Sequence, residues 1–260
     1  MTFIDIFAGI GGFSLGLEWC GMTCIGQIEN NDFCCKVLEK HWPNVKRTKD
    51  VFETKGDEFE KPDIICGGFP CQPFSSAGAQ AVEADDRYLW PEMFRLIHKI
   101  QPRWVIAENV PGILTAQDGV GYYTAVADLE SAGYKVTSFS LPACAVGAPC
   151  KRDRIFIIAH INSNGLQIFN VQQKSILERK SAKYKNQTRE RCCNKIIRVL
   201  GKSWVQFATK FCGMDDGISN KLDRIAALGN AVVPQLVYEI GNAILYAERF
   251  KNGTSQAQND

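Results

Sequence analysis

Thr2-Phe3-Ile4-Asp5-Ile6-Phe7-Ala8-Gly9-Ile10-Gly11-Gly12-Phe13 decides the fold, because a short apolar run enters a glycine cluster and then a helical pattern. Residues 2–7 read as a buried strand and residues 12–20 as the helix after it. Glycines at such a joint let the main chain bend tightly and approach a ligand closely. The cluster departs from the dinucleotide fingerprint: Gly12 and Phe13 follow Gly9-Ile10-Gly11, and Ser14 stands at the last glycine's place. Glu29 closes the next strand, where a carboxylate can hold ribose hydroxyls, and Asp50 is placed to close an adenine side. A nucleoside-bearing cofactor is the leading reading of this joint; a purely structural turn is the other.

Working outward, residues 23–28 give a second strand and 32–41 a helix with Asp32 as its expected N-cap. Residues 63–68 form a third strand. The helix expected over 89–100 carries Leu89, Met93, Leu96, Ile97 and Ile100 on one face, the 3.6 period of a core-facing helix. Strands over 104–107, 134–141 and 154–161 follow, with a helix over 122–131 and a last helix over 234–249 that begins at Pro234. Alternating strands and helices predict an α/β fold, a mostly parallel, doubly wound sheet whose last two strands pair antiparallel. The expected organisation is a catalytic and cofactor-binding domain over 1–161, a short inserted region over 162–220, a return to the first domain over 221–250, and a disordered tail over 251–260.

The chain has 260 residues, 45% of them apolar and 22% charged, which is ordinary globular composition. No run approaches the roughly 18 apolar residues of a membrane span, and the amino terminus lacks a signal peptide's pattern, so a cytoplasmic or nucleoid-associated place is expected. Eleven cysteines without CxxC pairs point to packing thiols, neither a disulfide framework nor a metal site. The net charge of +2 is unevenly spread: ten bases and two acids fall between Lys174 and Lys202. That segment suits one local patch against a polyanion, or else a solvated insertion.

Asp63-Ile64-Ile65-Cys66-Gly67-Gly68-Phe69 runs into Pro70-Cys71-Gln72, and Trp104-Val105-Ile106-Ala107 runs into Glu108-Asn109-Val110. In open α/β sheets ligands collect outside the carboxyl ends of the strands, so a thiol and a carboxylate are expected to share one cleft.

These segments resemble the DNA cytosine-C5 methyltransferase family. Asp5-Ile6-Phe7-Ala8-Gly9-Ile10-Gly11-Gly12 is similar to its cofactor motif and Gly68-Phe69-Pro70-Cys71-Gln72-Pro73-Phe74-Ser75 to its nucleophile loop. Glu108-Asn109-Val110 is similar to its carboxylate motif, Cys150-Lys151-Arg152-Asp153-Arg154 to its Gln-x-Arg-x-Arg element, and Leu228-Gly229-Asn230-Ala231-Val232-Val233-Pro234 to its closing motif. The resemblance implies a Rossmann-like S-adenosylmethionine-dependent methyltransferase fold with a small target recognition insertion. It also implies Phe7, Gly9, Ile10, Gly12, Glu29, Asn30, Asp50, Val51, Pro70, Trp90, Asn230 and Ala231 as cofactor-binding residues. Cys71, Glu108, Arg152 and Arg154 are the implied catalytic set, with no metal.

The implied chemistry fits what cytosine needs. Its C5 is a poor nucleophile, and a thiolate from Cys71 adding at C6 makes it an enamine. A carboxylic acid at Glu108 then relieves the charge arriving at N3, while Arg152 and Arg154 orient the carbonyl and steady the acidic loop. A duplex hides the ring, so base flipping is required, and residues 75–88, with Gly78 and the Asp85-Asp86 pair, suit a mobile lid. The implied partner is double-stranded DNA, met by a monomer, with a cognate restriction endonuclease possible in a restriction-modification pair. Transfer to tRNA, or a non-catalytic DNA-binding relative, are the other readings. Two departures stand out: Cys150 replaces the usual Gln, and the region between Ile161 and Lys221 is short, without a clear counterpart of the family's last recognition-side motif.

Overall fold

The computed structural model describes residues 1–70, 88–148, 152–161 and 227–253. Cys71, Cys150, all of the expected lid but Tyr88, the basic segment and the 162–220 insertion lie outside the described residues. Among the described residues seven strands form one sheet: β1 (Thr2–Ile6), β2 (Thr23–Ile28), β3 (Arg47–Thr48), β4 (Ile64–Gly68), β5 (Trp104–Asn109), β6 (Lys135–Pro142) and β7 (Asp153–His160). Their order is β3-β2-β1-β4-β5-β7-β6. The first five are mutually parallel, and β7 alone runs against its neighbours β5 and β6. The mostly parallel sheet and the antiparallel last pair agree with the alternation in the sequence.

Among the described residues the sheet is accompanied by α1 (Gly12–Glu18), α2 (Asp32–His41), α3 (Trp90–Ile100), α4 (Val120–Ser131) and α5 (Pro234–Gly253). Strand residues alternate between two cores, because successive side chains leave opposite faces. Phe3, Ile64, Cys66, Trp104, Ile106, Phe156 and Ile158 pack with Leu17 of α1 and Val237, Ile240 and Ile244 of α5. Ile4, Ile65, Val105, Ala107, Ile157 and Ala159 pack with Met93, Leu96 and Ile97 of α3 and Leu129 of α4. Each buried aliphatic side chain of this kind contributes roughly 1.5–3 kcal/mol. Close contact between α1 and α5 depends on Gly16, where a Cβ would lie 2.6 Å from the Pro234 carbonyl oxygen.

Two local expectations need correction. Asn31, not Asp32, caps α2: its Oδ1 accepts from the Cys34 N–H at 3.0 Å. Asp32 falls in the first turn, where its carboxylate meets Lys49 Nζ at 2.6 Å. The two-residue strand β3 was not expected, being too short and too polar to leave a period. Its effect is nevertheless local and specific, since pairing of Arg47 and Thr48 with Gln27 and Ile28 delivers residues 49–52 to the carboxyl end of β2. Cys24, Cys34, Cys35 and Cys66 are buried, in keeping with packing thiols.

Beneath the glycine turn lies a buried polar chain. Ser14 N and Oγ donate to Asp5 Oδ2 at 3.0 and 2.8 Å, Gln27 Nε2 donates to Ser14 Oγ at 3.0 Å, and Arg47 Nη2 donates to Gln27 Oε1 at 2.8 Å. Burial pushes the Asp5 carboxyl up to about 7 against the lowering effect of the Ser14 hydrogen bonds. Thus Ser14, at the place of a fingerprint glycine, ties the start of α1 to β1.

Candidate active site

Reversal of strand order falls between β1 and β4, and a cleft of about 820 Å³ opens there at the carboxyl ends of the strands. Its first end is made by the glycine turn. Phe7 and Gly9 both adopt positive φ (59° and 55°), and a Cβ at Gly9 would meet no atom within 4 Å, so this turn faces open space. Gly12 is close-packed instead: a Cβ there would lie 2.8 Å from both Val232 Cγ1 and its carbonyl oxygen. Glu29, delivered by β2, accepts the Gly9 N–H at Oε2 and the Asn31 N–H at Oε1, each at 2.7 Å. Each oxygen keeps a further lone pair. Asp50 follows β3 and accepts the Phe52 N–H at Oδ1, 2.8 Å away.

Glu108 closes the second end. Parallel pairing sets it opposite Gly68, the last residue of β4, and its Oε2 occupies space that a Gly68 Cβ would crowd at 3.0 Å. Because β7 runs antiparallel, its first residues stand where β5 finishes, and Arg154 Nε lies 2.8 Å from Glu108 Oε1. The two groups form a close ion pair. Burial pushes the Glu108 carboxyl up to about 7, opposed by the charges of Arg154 and then Arg152. Near neutrality this group is therefore divided between acid and carboxylate.

Most of the sequence-derived site residues meet in this one cleft. Phe7, Gly9, Gly12, Glu29 and Asn30 line the first end, Asp50 and Val51 one side, and Asn230 and Ala231 another. Pro70, Glu108 and Arg154 line the second end. Three of the expected residues are not on this wall. Trp90 is fully buried, its ring 5.1 Å from Phe69 and its Nε1 donating to Asp128 Oδ2 at 2.8 Å, while Leu89 takes the place on the cleft wall. Ile10 is partly exposed and outside the wall. Arg152 directs Nη1 to the Leu228 carbonyl at 3.1 Å and Nη2 to the Ala231 carbonyl at 2.5 Å.

Three residues were missed. Asn109 Nδ2 donates to the Phe69 carbonyl at 2.9 Å and so braces the exit of β4 one residue before Pro70. Its place beside Glu108 was the available signal. Phe52, 60% exposed, lines the cleft beside Asp50, and Val232 backs the glycine turn. No pattern marks Phe52, whereas Val232 sits inside the closing motif. Among the described residues no group of His, Cys, Asp and Glu could hold a metal ion, and no helix is long and apolar enough to cross a membrane.

A model of the family described as C-5 cytosine-specific DNA methylase matches residues 1–213. The Type II methyltransferase M.HgiCII of Herpetosiphon aurantiacus is 34% identical over 180 residues, covering 68% of this chain and 41% of the relative. The Type II methyltransferase M.HhaI of Haemophilus parahaemolyticus is 32% identical over 170 residues, covering 65% and 52%. Thus the chain spans about half the length of these relatives or less. A solved structure of an E. coli prophage protein assigned as a DNA modification methyltransferase superposes with a TM-score of 0.54 at 27% identity, over 62% of this chain and 46% of that one. The fold is accordingly the Rossmann-like methyltransferase sheet, and the chain belongs to the C-5 cytosine-specific DNA methylase family.

Proposed function

We propose that this chain transfers a methyl group from S-adenosylmethionine to C5 of cytosine in duplex DNA, with Cys71 as nucleophile. The observation that carries the reading is the Glu108–Arg154 pair, buried at the end of β5 and facing across one cleft to the glycine turn. A partly protonated carboxyl there suits a hydrogen bond to N3 of a flipped base.

The residues at the first end fit the cofactor. Gly9 leaves room where any side chain would intrude, and the Glu29 oxygens, held by two main-chain N–H groups, retain lone pairs for ribose hydroxyls. Asp50 and Phe7 frame the adenine region. When bound, the cofactor supplies an electrophilic methyl group, and the protein's task is to hold a cytosine C5 beside it.

Cys71 stands two residues after Phe69, whose carbonyl Asn109 fixes. Its thiolate forms a bond to C6, the displaced electron pair moves to C5, and Glu108 supplies the hydrogen bond or proton at N3. C5 takes the methyl, then loses its proton to solvent water as the C6–S bond breaks and the thiolate returns, while any proton placed on N3 goes back to Glu108. Arg154 sets the Glu108 orientation and offsets its charge when ionised.

Bisulfite sequencing of DNA from cells expressing the chain tests this. The expected result is new 5-methylcytosine at a defined sequence, absent with Cys71→Ser; identical maps for both proteins would refute it. Parallel transfer assays on tRNA and duplex DNA decide the substrate class.

A further inference from the structure

We propose that Arg152 is a positioning residue that joins the two ends of the cleft, its guanidinium fixing the 228–231 main chain that walls the cofactor end. The inference rests on the cofactor reading above and goes beyond it by making cofactor affinity depend on an arginine at the base end.

Arg152 stands one residue before β7 and Arg154 is the strand's second residue, so the two are neighbours at the end of the strand that meets Glu108. Their partners nevertheless diverge. Arg154 stands against Glu108, whereas the two terminal nitrogens of Arg152 donate to the carbonyls of Leu228 and Ala231. The Arg152 main chain is itself anchored, its carbonyl accepting from Ala143 N–H at 2.8 Å. An arginine fork suits this task because its donors are fixed in one plane, while a lysine offers one point charge.

The segment held by Arg152 has no slack on its far side. Ala231 N–H closes a turn on the Ala227 carbonyl at 2.9 Å, and Val232 fills the space that Gly12 leaves empty. Asn230, Ala231 and Val232 all line the cleft. The returning segment is thus pinned between the glycine turn and Arg152. Arg152 also acts on the Glu108 carboxyl through its charge, which places it near the base end as well. Any shift of Arg152 on base binding moves the cofactor wall, and linkage requires the converse.

The test is calorimetric titration of the full chain with S-adenosylhomocysteine, without DNA, for wild type, Arg152→Ala, Arg152→Lys and Arg154→Ala. Both Arg152 variants are expected to bind about 10- to 100-fold more weakly, the loss for hydrogen bonds from a charged donor. Arg154→Ala should stay within about threefold of wild type. In transfer assays Arg152→Lys should raise the KM for cofactor by a larger factor than it lowers kcat, a split that general loss of structure would not produce. Should Arg152→Ala fail to fold, Arg152→Lys decides alone, since it keeps the charge and removes the fork. Binding by Arg152→Lys within twofold of wild type would overturn the inference and leave the cofactor reading intact. Failure of the wild type to bind would overturn that reading and this inference together.

Discussion

Two carboxylates close opposite ends of the same cleft, are buried to nearly the same degree, and are held in opposite ways. Glu29 gives both oxygens to main-chain N–H groups, at Gly9 and Asn31. Those donors fix it as an acceptor, suited to hydroxyl groups. Glu108 has no such donors, only an arginine beside one oxygen and a protein interior around the rest. Desolvation therefore prevails there and lifts the carboxyl toward neutrality, so the group can donate a proton as well as accept one. On the proposed function one strand end binds the cofactor while the other serves the chemistry, and the difference lies in the neighbours rather than in the residue type.

The sharpest way to break this comparison is to remove the proposed nucleophile. Cys71→Ser should lower methyl transfer by on the order of 10⁴-fold or more, measured as labelled methyl in duplex DNA, while S-adenosylhomocysteine binding stays near wild type. Next, Glu108→Gln should lower kcat by roughly 10²- to 10⁴-fold. For the wild type, kcat should decline as pH rises through about 7, because the acid form is lost. A flat profile between pH 6 and 8 would show that the Glu108 proton is not used. At the other end, Glu29→Gln should weaken S-adenosylhomocysteine binding about tenfold by leaving one N–H poorly paired. Its kcat at saturating cofactor should change little.

The smallest expected effect is on stability. Glu108 and Asp5 carry folded-state values of about 7, above their ordinary 4.5 and 3.8. The folded chain thus holds more protons than the unfolded one between those values, and stability from these groups falls as pH rises from about 4 to 7. Glu108→Gln should flatten part of that slope and stabilise the protein above pH 7 by at most about 3 kcal/mol. Urea denaturation at pH 5 and pH 8 measures it.

Much of this comparison was legible in the chain. Apolar runs that end in Gly-rich or polar residues mark β1, β4 and β5, because strands covered on both faces need continuous hydrophobicity. The residues at their carboxyl ends, Phe7, Pro70 and Glu108, fell in one cleft as a parallel sheet requires. Trp90 was assigned on the resemblance alone, and its packing on Phe69 and its hydrogen bond to Asp128, which no residue pattern reports, hold it off the cleft wall. Arg152 took its role from the resemblance, and a motif does not report where a long side chain reaches: its terminal nitrogens meet the Leu228 and Ala231 carbonyls. β3 left no period, yet it carries Asp50 into place.

The central claim is that the cleft joins a methyl donor's site to a thiol able to bond with cytosine. Denaturing mass spectrometry after incubation with S-adenosylmethionine and a duplex containing 5-fluorocytosine tests it most directly. The account predicts a chain heavier by the methylated strand, with the attachment mapped to Cys71. A wild-type chain that binds S-adenosylhomocysteine and this duplex but gains no mass would contradict it.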